Sequence, residues 1–206
     1  MNINVINNVD KELNVIVNKE NNDNIEIIID LKNDNIDLLA LKPGDVFHKN
    51  NVEYIVLEQL PDKQTVVIRK YLLENKMEFD SDNNNWKTSS IRERLNNNVD
   101  GYLREVEDAF GKDKIVTHTV DLLSLDGLDD YGTSNDKISL LTIDQYRKYR
   151  KILSENINKW WWLLTPDSTS SGSSASYVRC VYSDGNVCCD RCGYDRGVRP
   201  FFIVQS

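Results

Sequence analysis

Seven consecutive residues, Trp160-Trp161-Trp162-Leu163-Leu164-Thr165-Pro166, form the densest aromatic and apolar block of the chain. Tryptophans beside Leu-Leu-Thr-Pro belong to a core or framework, with one ring at most left at the surface. The block is too short to cross a bilayer. No window approaches about 18 consecutive apolar residues, so no membrane insertion is expected. The adjoining stretch, Ser168–Ser176, is opposite in character, being rich in Ser and Gly. Two β-like runs, Tyr177–Tyr182 and Val187–Cys192, then flank Ser183-Asp184-Gly185-Asn186, and Asp-Gly between alternating residues marks a hairpin. Gly197–Val204 reads as a buried terminal strand.

The rest of the chain divides into two further zones. Residues 1–40 are rich in Asn, Asp, Ile and Val. The runs Asn2–Val9, Leu13–Asn18 and Asn24–Leu31 suggest two or three short strands, with a turn at Asn21–Asn24. This piece is too small for a core of its own and is expected to attach the chain to a carrier or to a second copy as a homo-oligomer. Residues 41–158 read as scaffold. After Pro43-Gly44-Asp45, the runs Val46–His48, Val52–Glu58 and Thr65–Lys70 form a meander, connected at Asn50-Asn51 and Pro61-Asp62-Lys63. Ser90-Ile91-Arg92-Glu93 and Thr142-Ile143-Asp144-Gln145 match the capping box that opens a helix. The acidic stretch Asp121–Asp136 between them reads as an irregular, solvated surface loop.

Charge narrows the partners. The 206 residues carry a net charge of −8, which disfavours nucleic acid or an anionic membrane. The opening Met1-Asn2-Ile3-Asn4 lacks a basic and apolar leader, so no secretory signal is expected. Virion-associated, cytoplasmic and unconventionally exported locations stay open.

One constellation is more specific. A meander after Gly44-Asp45 precedes Trp86-Lys87-Thr88-Ser89-Ser90-Ile91-Arg92 with Leu95-Asn96. Then come Leu140-Leu141-Thr142, Trp161-Trp162-Leu163-Leu164-Thr165-Pro166, an Asp-Gly hairpin and Gly197-Val198-Arg199-Pro200. In this order the residues resemble bacterial and phage proteins with a C-type lectin fold, in the branch of the formylglycine-generating enzymes. Some members are the variable proteins of diversity-generating retroelements. Leu164 departs from relatives that carry Arg after Trp-Leu. The resemblance covers residues 41–206. It implies an α+β, C-type lectin-like fold, with a small twisted antiparallel sheet flanked by two helices and a short β-rich extension at residues 1–40. It also implies a ligand-binding surface at about residues 167–196, and a framework role for Arg199 through buried hydrogen bonds. In variable proteins that surface is rewritten by adenine-directed mutagenesis.

Such rewriting has a coding consequence, because an Asn codon AAY becomes NNY, which never encodes Lys, Glu, Gln, Met or Trp. Residues 1–162 contain 35 residues of those types, whereas Leu163–Val204 contains none. All four cysteines of the chain, Cys180, Cys188, Cys189 and Cys192, lie in the same short stretch. Three readings stay open for them. Cys189-x-x-Cys192 has zinc-ligand spacing but no second paired half, with His48 and His118 remote. A disulfide requires an oxidising compartment. Exposed or half-buried thiols in a variable surface fit random rewriting best.

No Cys/His constellation or metal-ligand set stands out, so no catalytic residue, metal or cofactor is expected. The favoured reading is a non-enzymatic, receptor-binding protein whose partner is a protein or glycan on a cell or phage surface. Its contact or diversified positions are Ser174, Ser176, Tyr177, Arg179, Cys180, Tyr182, Cys188, Cys189, Asp190, Arg191, Cys192 and Tyr194. Tyr and Arg suit contact surfaces because they join large area to hydrogen bonding. The alternatives are a formylglycine-generating type of enzyme using a clustered Cys, and a phage structural component of fixed specificity.

Overall fold

The computed structural model describes residues 13–20, 24–31, 36–153 and 157–206. The chain divides into two compact units, residues 1–37 and 38–206. In the first, β1 (Leu13–Glu20) and β2 (Asn24–Leu31) pair antiparallel, from Leu13 opposite Leu31 to Glu20 opposite Asn24. The expected strand at Asn2–Val9 and most of the expected turn at Asn21–Asn24 lie outside the described residues.

In the second unit the expected meander is present as β3 (Val46–Lys49), β4 (Val52–Leu60) and β5 (Gln64–Arg69). Asn50 and Asn51 both have positive φ (47° and 61°), as do Asp62 and Lys63 (59° each). Two consecutive left-handed residues match the twist of the strands they join, and Asn and Asp tolerate that region best. The sheet continues from β5 through β13 (Phe201–Gln205) to β6 (Ile115–Val116), and β9 (Ile138–Ser139) also pairs with β13. The C-terminal strand is therefore central and paired on both edges.

Alternation along the strands gives this sheet two apolar faces. On one, Phe47, Tyr54 and Phe202 meet Phe110 of α2 (Tyr102–Phe110), with Phe110 at 5.3 Å from both the Tyr54 and Phe202 ring centres. On the other, Ile55, Val66, Ile68 and Phe201 pack with Ile143, Tyr146 and Tyr149 of α3 (Ile143–Tyr149), and with Trp161, Leu163 and Val181. These last residues belong to a second sheet of order β10 (Trp161–Pro166), β11 (Tyr177–Val181) and β12 (Val187–Arg191). Helix α3 thus joins the two sheets. Glu58 of β4 fixes it further, accepting from Tyr149 Oη and Lys148 Nζ, each at 2.6 Å.

Helix α3 starts where the sequence indicated. Thr142 Oγ1 accepts from Gln145 N, and Thr142 N donates back to Gln145 Oε1. Helix α1 (Ser90–Asn96) starts one residue earlier than expected. Its cap is Ser89, whose Oγ accepts from Arg92 N, while the Ser90 N–H is taken by Asp80. Helix α2 was not anticipated and makes three α-helices among the described residues, in place of two. No side chain caps it, because Gly101 occupies the cap position. A Cβ on Gly101 would lie 2.3 Å from the Arg94 carbonyl oxygen, so close packing on the end of α1 dictates glycine there.

The acidic stretch also differs from expectation. β8 (Thr133–Asp136) pairs in full with β7 (His118–Asp121), so Asp121–Asp136 is not irregular throughout. Nor is it wholly solvated. Asp136 is buried and accepts from Trp86 Nε1 and Arg92 Nε, both at 2.8 Å. Asp126 and Asp130 hold the Ser/Gly stretch through Ser168 and Thr169. The architecture is α+β, with antiparallel sheets and few helices.

Candidate functional site

The β11–β12 hairpin is built from its turn outward. Asp184 Oδ1 accepts from Asn186 N at 2.9 Å, Gly185 takes φ 81°, and Tyr182 N closes the turn on Asn186 O at 2.8 Å. Tyr146 of α3 donates to Gly185 O at 2.8 Å, anchoring the tip to the scaffold.

Strand alternation then sorts the twelve expected positions. Tyr177 opposite Arg191 and Arg179 opposite Cys189 share one face. Val178 opposite Asp190 and Cys180 opposite Cys188 share the other. On the first face Cys189 and Arg191 are exposed, with Tyr177 and Arg179 half-buried. Arg179 Nη1 pairs with Asp167 at 2.7 Å, and Arg191 lies over the Tyr177 ring at 5.8 Å. Tyr182 is half-buried and Tyr194 exposed. Ser174 and Ser176 are half-buried in the approach to β11, where Ser174 Oγ accepts from Ser176 N.

Three cysteines stand elsewhere than expected. Cys180 and Cys188 form a disulfide between directly opposed residues, with Cα atoms 5.1 Å apart, and both are buried. Cys192 is a free thiol, buried, and its carbonyl accepts from Phe79 N and Asp80 N. As contact positions Cys180, Cys188 and Cys192 are therefore corrected: all three are buried in the framework instead of standing at the surface. Cys189 alone is an exposed thiol. Burial pushes the Cys189 and Cys192 thiols up, so neither is a ready thiolate. Among the described residues no group of three His, Cys, Asp or Glu is placed to hold a metal ion.

Asp190 serves a pairing role. It accepts from Arg196 Nε at 2.7 Å, and Arg196 lies 4.8 Å over the Trp160 ring and 5.6 Å from the Tyr194 ring centre. Trp160 in turn meets Tyr182 edge-on at 4.2 Å. Trp161 and Trp162 are buried, so Trp160 is the one exposed ring of the block. Beside it lies a recess of about 350 Å³ lined by Lys76, Asn158, Lys159, Trp160 and Arg196. Trp160, Asp167 and Arg196 were not among the expected site residues. Arg196 reaches Trp160 because Gly197 bridges Trp161 in parallel, a pairing that leaves no local signature. The preference for Tyr and Arg that selected its neighbours would have selected Arg196 as well.

Among the described residues His118 Nε2 lies 2.8 Å from Ser139 Oγ, as a base beside a nucleophile would, but Ser139 belongs to β9 of the main sheet and is wholly buried. Arg199 is also buried. It donates to the carbonyls of Arg69 and Lys70 at 2.9 and 2.7 Å, and so locks the closing segment to the end of β5.

Residues 119–206 match a family described as a domain of unknown function, DUF6273. The matched span runs from β7 to the chain end and leaves out β3–β5, although β13 inside it pairs with β5. No curated protein and no solved structure matches the chain.

Proposed function

We propose that residues 41–206 form a C-type lectin-like binding module with no enzymatic role, and that the protein recognises a protein or glycan on a cell or phage surface. The contact surface is the outward face of the β11–β12 hairpin, continued by the edge formed by Trp160, Tyr182, Tyr194 and Arg196. One observation carries this reading. The hairpin separates into two faces, with Tyr, Arg and an exposed Cys outward and the disulfide and Val178 inward. The exposed side chains of that face, Cys189 and Arg191, can be exchanged without opening the core. The absence of Lys, Glu, Gln, Met and Trp from Leu163–Val204 supports diversification of this segment by a retroelement. The cationic recess at Trp160 favours an acidic group on the ligand. The disulfide suits work outside the reducing cytoplasm.

Sequencing this locus and several kilobases around it, in many cells of one population, tests the reading. The expected result is a near-copy of the segment encoding Trp161–Arg199, beside a reverse-transcriptase gene. The copies should differ only at adenines, and the differences should fall at codons 177, 179, 182, 189, 191 and 194 while sparing 180, 188 and 192. An invariant hairpin with no such copy removes diversification and leaves fixed specificity.

A further inference from the structure

One residue outside the hairpin holds the segment that leads into it. Residues 167–176 lie outside any strand, so partners for their carbonyls have to come from elsewhere. Asn84 supplies three of them. It is wholly buried, and its Nδ2 donates to Ser168 O and Tyr177 O, both at 2.8 Å. Its backbone N–H donates to Ala175 O at 2.8 Å. Because carbonyls only accept, the amide nitrogen has to face them, and Tyr131 Oη fixes that orientation by donating to Asn84 Oδ1 at 2.8 Å.

The stretch that carries Asn84 is itself fixed. Asp80 Oδ1 accepts from Asp82 N and Asn83 N at 3.0 and 3.2 Å, and Asp80 Oδ2 accepts from Ser90 N at 3.0 Å. Phe79 N and Asp80 N donate to Cys192 O, just past the end of β12, and Cys192 N donates to Ser176 O. Residues 79–84 therefore brace both the loop and the base of the hairpin.

Every acceptor that Asn84 serves in this loop is a main-chain carbonyl, so the clamp does not depend on which side chains the loop carries. Ser170 and Ser173 are exposed. Gly172 is not exchangeable, since a Cβ there would lie 2.3 Å from Ser168 Oγ and 2.7 Å from Leu128 Cδ1.

We propose that Asn84 is the positioning residue of the contact surface: it fixes the course of residues 168–177 through their main chain, and Ser170 and Ser173 join that surface as specificity positions. The inference rests on the proposed contact face for its use, but its geometry is testable without a ligand.

The test is hydrogen exchange of the full chain, read segment by segment by mass spectrometry. In Asn84→Ala the amides of residues 168–177 should exchange about tenfold faster or more, while those of β4, β5 and β13 keep their rates. A double variant, Ser170→Tyr with Ser173→Tyr, should change neither set. If Asn84→Ala does not fold, Tyr131→Phe takes its place. It removes only the hydroxyl that orients the amide, and the same local rise is expected at about threefold. The proposal is overturned if the loop keeps its rates, if the main sheet speeds up equally, or if the tyrosine pair loosens the loop without any change at Asn84. Locus sequencing that finds no diversified copy removes the retroelement and leaves this clamp intact, whereas unchanged exchange removes the clamp alone.

Discussion

Trp160 and Trp162 are separated by one residue and do opposite work. Trp162 is fully buried, packs edge-on to Phe79 at 6.1 Å and donates its Nε1–H to the Met77 carbonyl. Trp162→Ala should destabilise the protein by about 3–5 kcal/mol. Trp160→Ala should cost clearly less, about 1 kcal/mol, since its ring is 38% exposed and packs only on Arg196 and Tyr182 at the surface. Chemical denaturation of the two variants measures the contrast. The cysteines divide in the same way. Alkylation of the native protein and subsequent mass spectrometry should label Cys189 quickly and Cys192 slowly, and should reach Cys180 and Cys188 only after reduction. A further residue-level effect concerns His118, whose pKa is held below its ordinary value of 6.5 chiefly by burial. The unfolded chain therefore takes up a proton as the pH falls through about 6.5, while the folded protein resists it. Stability from this source is complete above that pH and is lost progressively toward the lower folded pKa. The melting temperature should fall from pH 7 to 5.5, and His118→Asn should flatten that slope.

Single elements test how local signals become structure. Ser89→Ala should cost about 1 kcal/mol because it removes the cap of α1, whereas Ser90→Ala should cost clearly less. That pair of melting curves distinguishes the observed cap from the one that the Ser-x-x-Glu spacing suggested. The meander turns, the Thr142 box and the Asp-Gly hairpin were legible because each is specified by residues within a few positions of one another. Helix α2 was not, since its start is set by Gly101 packing on the carbonyls of α1 and not by a capping side chain. The periodic Tyr102, Leu103, Val106 and Phe110 were the available signal. β8 escaped because polar Thr133–Asp136 finds its partner a dozen residues upstream. The hairpin was legible as the candidate surface, yet its two faces were not told apart. Alternation alone would have grouped Cys180 with Val178, but which face is buried depends on segments distant in sequence.

At the scale of the whole molecule, the main sheet depends on a strand far along the chain, β13, which lies in its interior. β13 pairs with β5 on one side and with β6 and β9 on the other. Removing Phe201–Ser206 should leave a chain without cooperative unfolding, since the main sheet would lose its middle and Tyr54 and Phe110 their partner Phe202. Against that dependence on the frame stands the freedom of the outward face. The most direct measurement of their separation is the thermal unfolding of one variant in which Tyr177, Arg179, Tyr182, Cys189, Arg191 and Tyr194 are all replaced by Ala. If the face is a contact surface carried on an independent frame, the variant unfolds cooperatively, with a melting temperature within a few degrees of the unmodified protein. A non-cooperative or collapsed transition would contradict the account, because those side chains would then be holding the hairpin together instead of standing ready to meet a ligand.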